Sequence, residues 1–218
     1  MRTHGWAGSP PADAAEARAR ILAATRDRLV EFGTTSTSEV AEQVGVTRQT
    51  VYRYFPTTED LLNAAATEAV AELAADLVEH VRSHLEAGGD AGDAVVEVVA
   101  YVYEHLRDEP ALNRLLAPGR MSGTVADLTS ASSIDIGRTL IDGFGLDWTD
   151  LGLDESGQRE LVEHLLRTLQ SFVIDPGAPA RTGAELRAYL QRWLAPVLRT
   201  RGGAVTAAPT EATGRPSG

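Results

Sequence analysis

Cysteine is absent from the 218 residues, and so is lysine. Without Cys the chain has no disulfide, no thiolate metal site and no thiol nucleophile. All 20 positive residues are Arg, set against 31 Asp and Glu for a formal net charge of −11. An acidic chain is a poor indiscriminate binder of nucleic acid, because sequence-blind binding rests on neutralising phosphates. No apolar run approaches the roughly 18 residues that a bilayer span needs. The start, MRTHGWAGSPPAD, lacks the apolar middle of a secretory signal. A cytoplasmic protein with no membrane partner is the simplest expectation. Catalytic signatures are missing too: there is no G-x-S-x-G, H-E-x-x-H, P-loop or dinucleotide glycine pattern. The five His are scattered. These absences argue against an enzyme, and neither a cofactor nor a metal is expected.

What is present is concentrated in Ser36 to Phe55, STSEVAEQVGVTRQTVYRYF. Val40, Ala41 and Val44 mark one face of a short helix over about Ser38 to Val44. Gly45 supplies a turn where φ > 0 is cheapest without a Cβ. Thr47 is placed to cap a second helix, Val51, Tyr54 and Phe55 give that helix an inward face, and Pro56 ends it. Two short helices across a Gly turn make a helix-turn-helix, whose second helix can enter the major groove. Arg48, Gln49, Thr50, Tyr52 and Arg53 lie on or near its outer side. Arg and Gln can read base edges, Thr can touch a thymine methyl, and Tyr and Arg can reach phosphates. No carboxylate occurs between Val46 and Phe55. Residues 13 to 56 hold six Arg (18, 20, 26, 28, 48, 53) against six acids (13, 16, 27, 31, 39, 42), so the excess negative charge falls outside this region.

Residues 17 to 62 resemble the DNA-binding domain of TetR-family (tetracycline-repressor-like) transcriptional regulators. The matching pieces are Glu31-Phe32-Gly33, Thr37-Ser38-Glu39-Val40-Ala41, Val44-Gly45-Val46-Thr47, Val51-Tyr52-Arg53-Tyr54-Phe55 and Glu59-Asp60-Leu61. Two positions depart from the family pattern. Gln49 replaces a frequent Gly in the recognition helix, and Thr58 replaces the Lys that opens the fourth helix and contacts phosphate. The resemblance implies a DNA-contacting set of Thr37, Thr47, Arg48, Gln49, Thr50, Tyr52, Arg53, Tyr54 and Thr58. It also implies an all-α fold, with a three-helix DNA-binding domain followed by a helical ligand-binding and dimerisation domain. A double-stranded pseudo-palindromic operator would be the first partner, and a small hydrophobic or aromatic effector the second.

Along the chain, residues 1–12 read as a flexible arm. Residues 13–57 hold the helix-turn-helix domain, with Ile21, Leu22, Thr25, Leu29 and Phe32 as the inner face of its first helix. Residues 58–200 form the second domain, and 201–218 a disordered tail. A long helix opens at Thr58-Glu59-Asp60, a hydroxyl cap followed by acids in the positive first turn, and carries Leu62, Ala66, Ala69, Leu73, Leu77 and Val81. His80 and His84, with Asp76 a turn earlier, have a spacing open to a divalent cation. No further ligand cluster accompanies them, and a solvated polar face is the preferred reading. A helix from Ala94 to Leu106 is apolar on two sides, as a buried or cavity-lining helix would be. The family's pocket helix lies there, which makes Val98, Tyr101, Val102 and His105, together with Phe144, the candidate effector contacts. Residues 109–133 give no clear pattern. A helix over Ser133 to Phe144 buries Ile136, Leu140 and Ile141, and a Gly- and Asp-rich surface link holding Trp148 follows. Helices at about 160–174 and 184–198 carry more apolar width than one packing face needs, and in this family such a pair joins two subunits. Pro196 should kink or end the last of them. A helical protein–protein adaptor, or an enzyme with an incidental helix-turn-helix, remain the alternatives.

Overall fold

The computed structural model describes residues 6–109 and 129–202. Every regular element among them is helical. A 3-10 turn, Trp6–Gly8, precedes α1 (Ala14–Phe32), α2 (Thr37–Val44), α3 (Arg48–Tyr54), α4 (Thr58–Glu86) and α5 (Ala91–Asp108). After the undescribed residues come α6 (Ala131–Asp142), α7 (Glu155–Ile174), α8 (Gly183–Trp193) and α9 (Pro196–Gly202).

Local chemistry sets the boundaries. Asp13, Ser36, Thr47, Thr57, Asp90, Ser130 and Asp154 each turn a side-chain oxygen onto a free amide of the first turn behind them. In α2, α4 and α5 the bond is returned as a capping box, from Glu39, Asp60 and Asp93. The cap of α4 is therefore Thr57 rather than Thr58, one residue earlier than the sequence reading placed it.

Two cores and a small junction result. The first gathers Ile21, Leu22, Ala24, Val40, Ala41, Val51, Phe55, Leu61 and Ala65 from α1 to α4. The second holds Leu77 and Val81 of α4, the inner face of α5, and residues of α6 to α9. Between them, Leu29, Leu62 and Ala69 form a separate cluster.

Several expectations need correction. Phe32 is 54% exposed, because α1 turns its inner face away after Leu29. Ile136 is 62% exposed, and α6 buries Ile141 instead. Trp148 does not sit on a surface link: it is 4% exposed, its indole N–H donates to the Ile141 carbonyl at 3.1 Å, and Leu153 is buried beside it in the same core. The helix expected at 160 starts at Glu155. The one expected over 184–198 is two helices, because Pro196 begins a new one after a turn at Leu194-Ala195. The segment read as a flexible arm is docked from Trp6 onward, its side chain packing on the rim of the first core. Most of the unpatterned stretch 109–133 lies outside the described residues, as do residues 203–218 of the expected tail.

Candidate nucleic-acid interface

The recognition element is seven residues long, Arg48–Tyr54, and would be unstable alone. Three devices hold it. Gly45 closes α2 in the left-handed region (φ 75°), and its N–H reaches the Ala41 and Glu42 carbonyls. The Val46 N–H donates to the Ala41 carbonyl at 2.9 Å. Thr47 then caps α3, its hydroxyl accepting the Thr50 N–H at 3.2 Å. Val51 and Phe55 are fully buried beneath, with the Arg18 guanidinium 4.4 Å from the Phe55 ring centre.

Arg48, Gln49 and Arg53 are exposed on this scaffold, while Thr50, Tyr52 and Tyr54 are half-buried. Arg48 lies over the Tyr52 ring and donates its Nε–H to the Tyr52 hydroxyl at 2.9 Å. Arg53 lies over Tyr54 and donates to its hydroxyl at 3.2 Å. Among the described residues neither guanidinium is paired with a carboxylate. Three of the four Arg residues of α1 differ: Arg20 pairs with Glu16, Arg26 with Glu72 and Arg28 with Glu39, while Arg18 lies over the Phe55 ring. Three of the four α1 guanidiniums are thus taken up by carboxylates, and neither α3 guanidinium is.

Two candidate residues have their hydroxyls engaged within the protein. Thr37 is 1% exposed, and its hydroxyl shares a 2.9 Å hydrogen bond with that of Thr58, so the pair ties the start of α2 to the start of α4. The Thr47 hydroxyl is taken up by the cap, although the residue is exposed. Sequence reasoning missed the contribution of Trp6, whose N–H donates to the Gly45 carbonyl at 3.1 Å. It also missed the Ser36–Glu39 capping box, although the S-x-x-E spacing was there to be read.

In the second domain, Val98, Tyr101, Val102 and His105 lie along the partly exposed flank of α5. The fully covered side is Val95, Val96, Val99, Ala100 and Tyr103. Tyr101 stands in a ring column, 4.5 Å from His80 and 3.9 Å from His105 between centres. Phe144 is buried in the core. A cleft of about 490 Å³ opens elsewhere, between the end of α7 and α8, lined by Arg167, Thr168, Phe172, Arg181 and Tyr189 among others. None of the five candidates lines it.

His80 does not lie on a solvated polar face. Its Nε2 is 2.9 Å from the Glu97 carboxylate, which is 6% exposed and also takes the Arg187 guanidinium at 2.9–3.1 Å. Burial pushes the Glu97 carboxyl up, but the hydrogen bonds from Arg187 and His80 outweigh it and hold it below the usual range. Arg187 continues to Glu104 at 3.0 Å, so α4, α5 and α8 meet at one charged node.

Residues 21–65 match the family described as "Bacterial regulatory proteins, tetR family". Two curated relatives, both uncharacterized HTH-type transcriptional regulators of Mycobacterium tuberculosis (strains CDC 1551 / Oshkosh and H37Rv), are 29% identical over 99 residues. The match covers 44% of this chain and 48% of each relative, so it spans about half the length of the curated relatives. Among solved structures, the TetR family repressor AlkX from a Dietzia strain, implicated in biodegradation of n-alkanes, shares the fold. Its TM-score is 0.54 at 19% identity, over 88% of this chain and 98% of that one. Among the described residues no helix is long and apolar enough to cross a membrane. Residues 21–65 thus carry the DNA-binding motif of the tetR family of bacterial regulatory proteins, and the helical chain behind them shares the fold of a TetR family repressor.

Proposed function

We propose that the protein is a ligand-responsive transcriptional repressor that binds a pseudo-palindromic operator as a dimer. One observation carries the reading. The outward side of α3 presents two guanidiniums free of carboxylate partners, while the other Arg residues around the helix-turn-helix are largely consumed in ion pairs. Arg48 and Gln49 read base edges, and Tyr52 and Arg53 hold the phosphates. Residues 13–57 act as the reading domain and 58–200 as the responding one.

A dimer is supported by what α7, α8 and α9 leave uncovered. Leu186, Leu190, Leu194 and Leu198 are buried against the core, whereas Trp193 and Val197 are 67% and 47% exposed, as is Ile174 at 58%. A second copy of these helices would cover that strip. Pairing also supplies the second half-site that one seven-residue helix needs for useful specificity. A small hydrophobic or aromatic effector would act at the Val98, Tyr101, Val102 and His105 flank of α5, with Phe144 behind it. By favouring one subunit geometry over another it would change the spacing of the two recognition helices.

The test is selection of bound sequences from a random duplex pool with the full chain. Enrichment of one inverted repeat is expected. A dimer, confirmed by scattering, that enriches nothing would refute the operator reading.

A further inference from the structure

The first described residues behave as no loose arm would. Trp6 has φ 69°, a left-handed backbone conformation rare for a bulky residue. Its N–H donates to the Gly45 carbonyl in the turn between α2 and α3. Its ring packs on the rim of the first core, which also holds Val44, Val46 and Tyr54, residues on both sides of that turn. Behind it the chain is fastened to α1. The Ser9 N–H donates to the Trp6 carbonyl at 3.0 Å, Arg20 donates to the Ser9 carbonyl at 2.6 Å, and the Ala12 N–H donates to the Glu16 carboxylate at 2.6 Å. An outlying backbone conformation held by so many surrounding contacts points to a use.

We propose that residues 6–12 are a latch that fixes the angle at which α3 is presented, with Trp6 as its positioning residue. The proposal rests on the reading of α3 as the DNA-reading helix. The turn is only Gly45-Val46-Thr47, and its torsions alone join two helices too short to be rigid by themselves. Trp6 grips that turn from outside both helices. Without the ring, α3 samples a wider range of angles and a smaller share of molecules presents the competent one. Apparent affinity falls with that share, and in a dimer with its square, so a drop to about a third per subunit costs about tenfold.

The experiment uses the full chain with Trp6→Ala and Trp6→Phe, well below the unfolding temperature. It reads affinity for the duplex that the unmodified protein selects, and backbone hydrogen exchange. Trp6→Ala should bind about tenfold more weakly and exchange faster at Val46 to Thr50, with α1 and the second core unchanged. Trp6→Phe, which keeps an aromatic body on the rim, should recover most of both. Unchanged affinity in Trp6→Ala overturns the latch, as does faster exchange spread evenly over α1 to α3, the mark of lost stability alone. If the unmodified protein selects no duplex, the operator reading falls and takes the latch's purpose with it. If that protein binds and Trp6→Ala binds equally well, the latch alone falls.

Discussion

Replacing Arg187 by Met leaves the Glu97 carboxylate, 8% exposed as a side chain, with His80 as its remaining hydrogen-bond partner. Breaking a fully buried ion pair from one side costs about 3–5 kcal/mol, against about 0–1 for an exposed pair. The Arg187 side chain is 30% exposed, so water enters part of the space it vacates, and about 2–3 kcal/mol is the expected loss. For a chain of this size that is a fall in melting temperature of about 5–10 °C. Urea unfolding followed by circular dichroism measures it. Two controls separate an orphaned charge from lost packing. Glu97→Leu combined with Arg187→Met should recover most of the stability, since an apolar replacement of both partners leaves no buried charge. The second control is pH. In the unmodified protein the Glu97 carboxyl is held below its usual range, so its contribution is full above about pH 4.3 and is lost as pH falls through the folded value. In Arg187→Met burial dominates and raises that carboxyl, so its charged form now destabilises and protonation relieves it. The cost of the substitution must therefore shrink below about pH 5. A loss under about 0.5 kcal/mol, or a cost independent of pH, would refute the assignment of Glu97 and Arg187 as a buried node.

Trp148→Ala should destabilise the second core by about 3–5 kcal/mol, whereas Trp148→Phe should lose closer to 1 kcal/mol for the indole hydrogen bond; chemical denaturation distinguishes the two. Thr37→Val keeps the shape of a residue whose hydroxyl bonds to Thr58, so it should lower stability by about 1 kcal/mol and leave operator affinity within a factor of about three, where a true phosphate contact would weaken it further. Arg48→Ala and Gln49→Ala should change the selected sequence, while Arg53→Ala weakens binding evenly and reduces its salt dependence by about one charge; selection repeated with each variant checks this. Gly45→Ala must place a Cβ at φ 75° and should cost the first core about 1–2 kcal/mol, read by thermal unfolding.

The helix-turn-helix was legible because its signals are local. Gly45, the Thr47 cap and the Val51–Phe55 pair act within a few residues of each other, so the sequence pattern and the structure report the same physics. The misplaced cap of α4 follows from two adjacent threonines; the T-x-x-D spacing of Thr57 and Asp60 was the signal that separates them. Trp148 was misread because Gly and Asp dominate its neighbourhood and no helical period frames it. The clue was the density of large apolar residues in that link, Leu146, Leu151 and Leu153 among them, more than a solvated loop carries. The charged node was out of reach. A Glu in the middle of an apolar helix demands a partner, but Arg187 lies 90 residues away, and only the packing of α8 along α5 brings it there. Trp6 was hidden for a similar reason, since its partner is a backbone carbonyl that no side-chain pattern announces.

Helix α4 takes part in all three apolar clusters, and under the proposed ligand response that sharing would set how the two ends of the molecule communicate. Leu61 and Ala65 belong to the first core, Leu62 and Ala69 to the junction with Leu29, and Leu77 and Val81 to the second core. The junction is the thinnest of the three, with two Leu and one Ala fully covered and Leu73 and Leu106 at its edge. Two buried Leu contribute about 3–6 kcal/mol at most, so reorientation is resisted least there. The Arg26–Glu72 ion pair at 2.5 Å crosses the same seam from α1 to α4. His80, held by Glu97 at the far side, anchors the C-terminal half of α4 to α5 and α8. A displacement of α5 or α8 at that node therefore pulls α4 from its second-core end. Its first-core end is clamped by Phe55, Leu61 and the Thr37–Thr58 bond, so a bend induced by such a pull would fall at the alanine-rich stretch between Ala65 and Ala69. On the proposed reading, motion of the second core would reach α3 as a rotation of the whole first core about that junction, with α3 itself left intact.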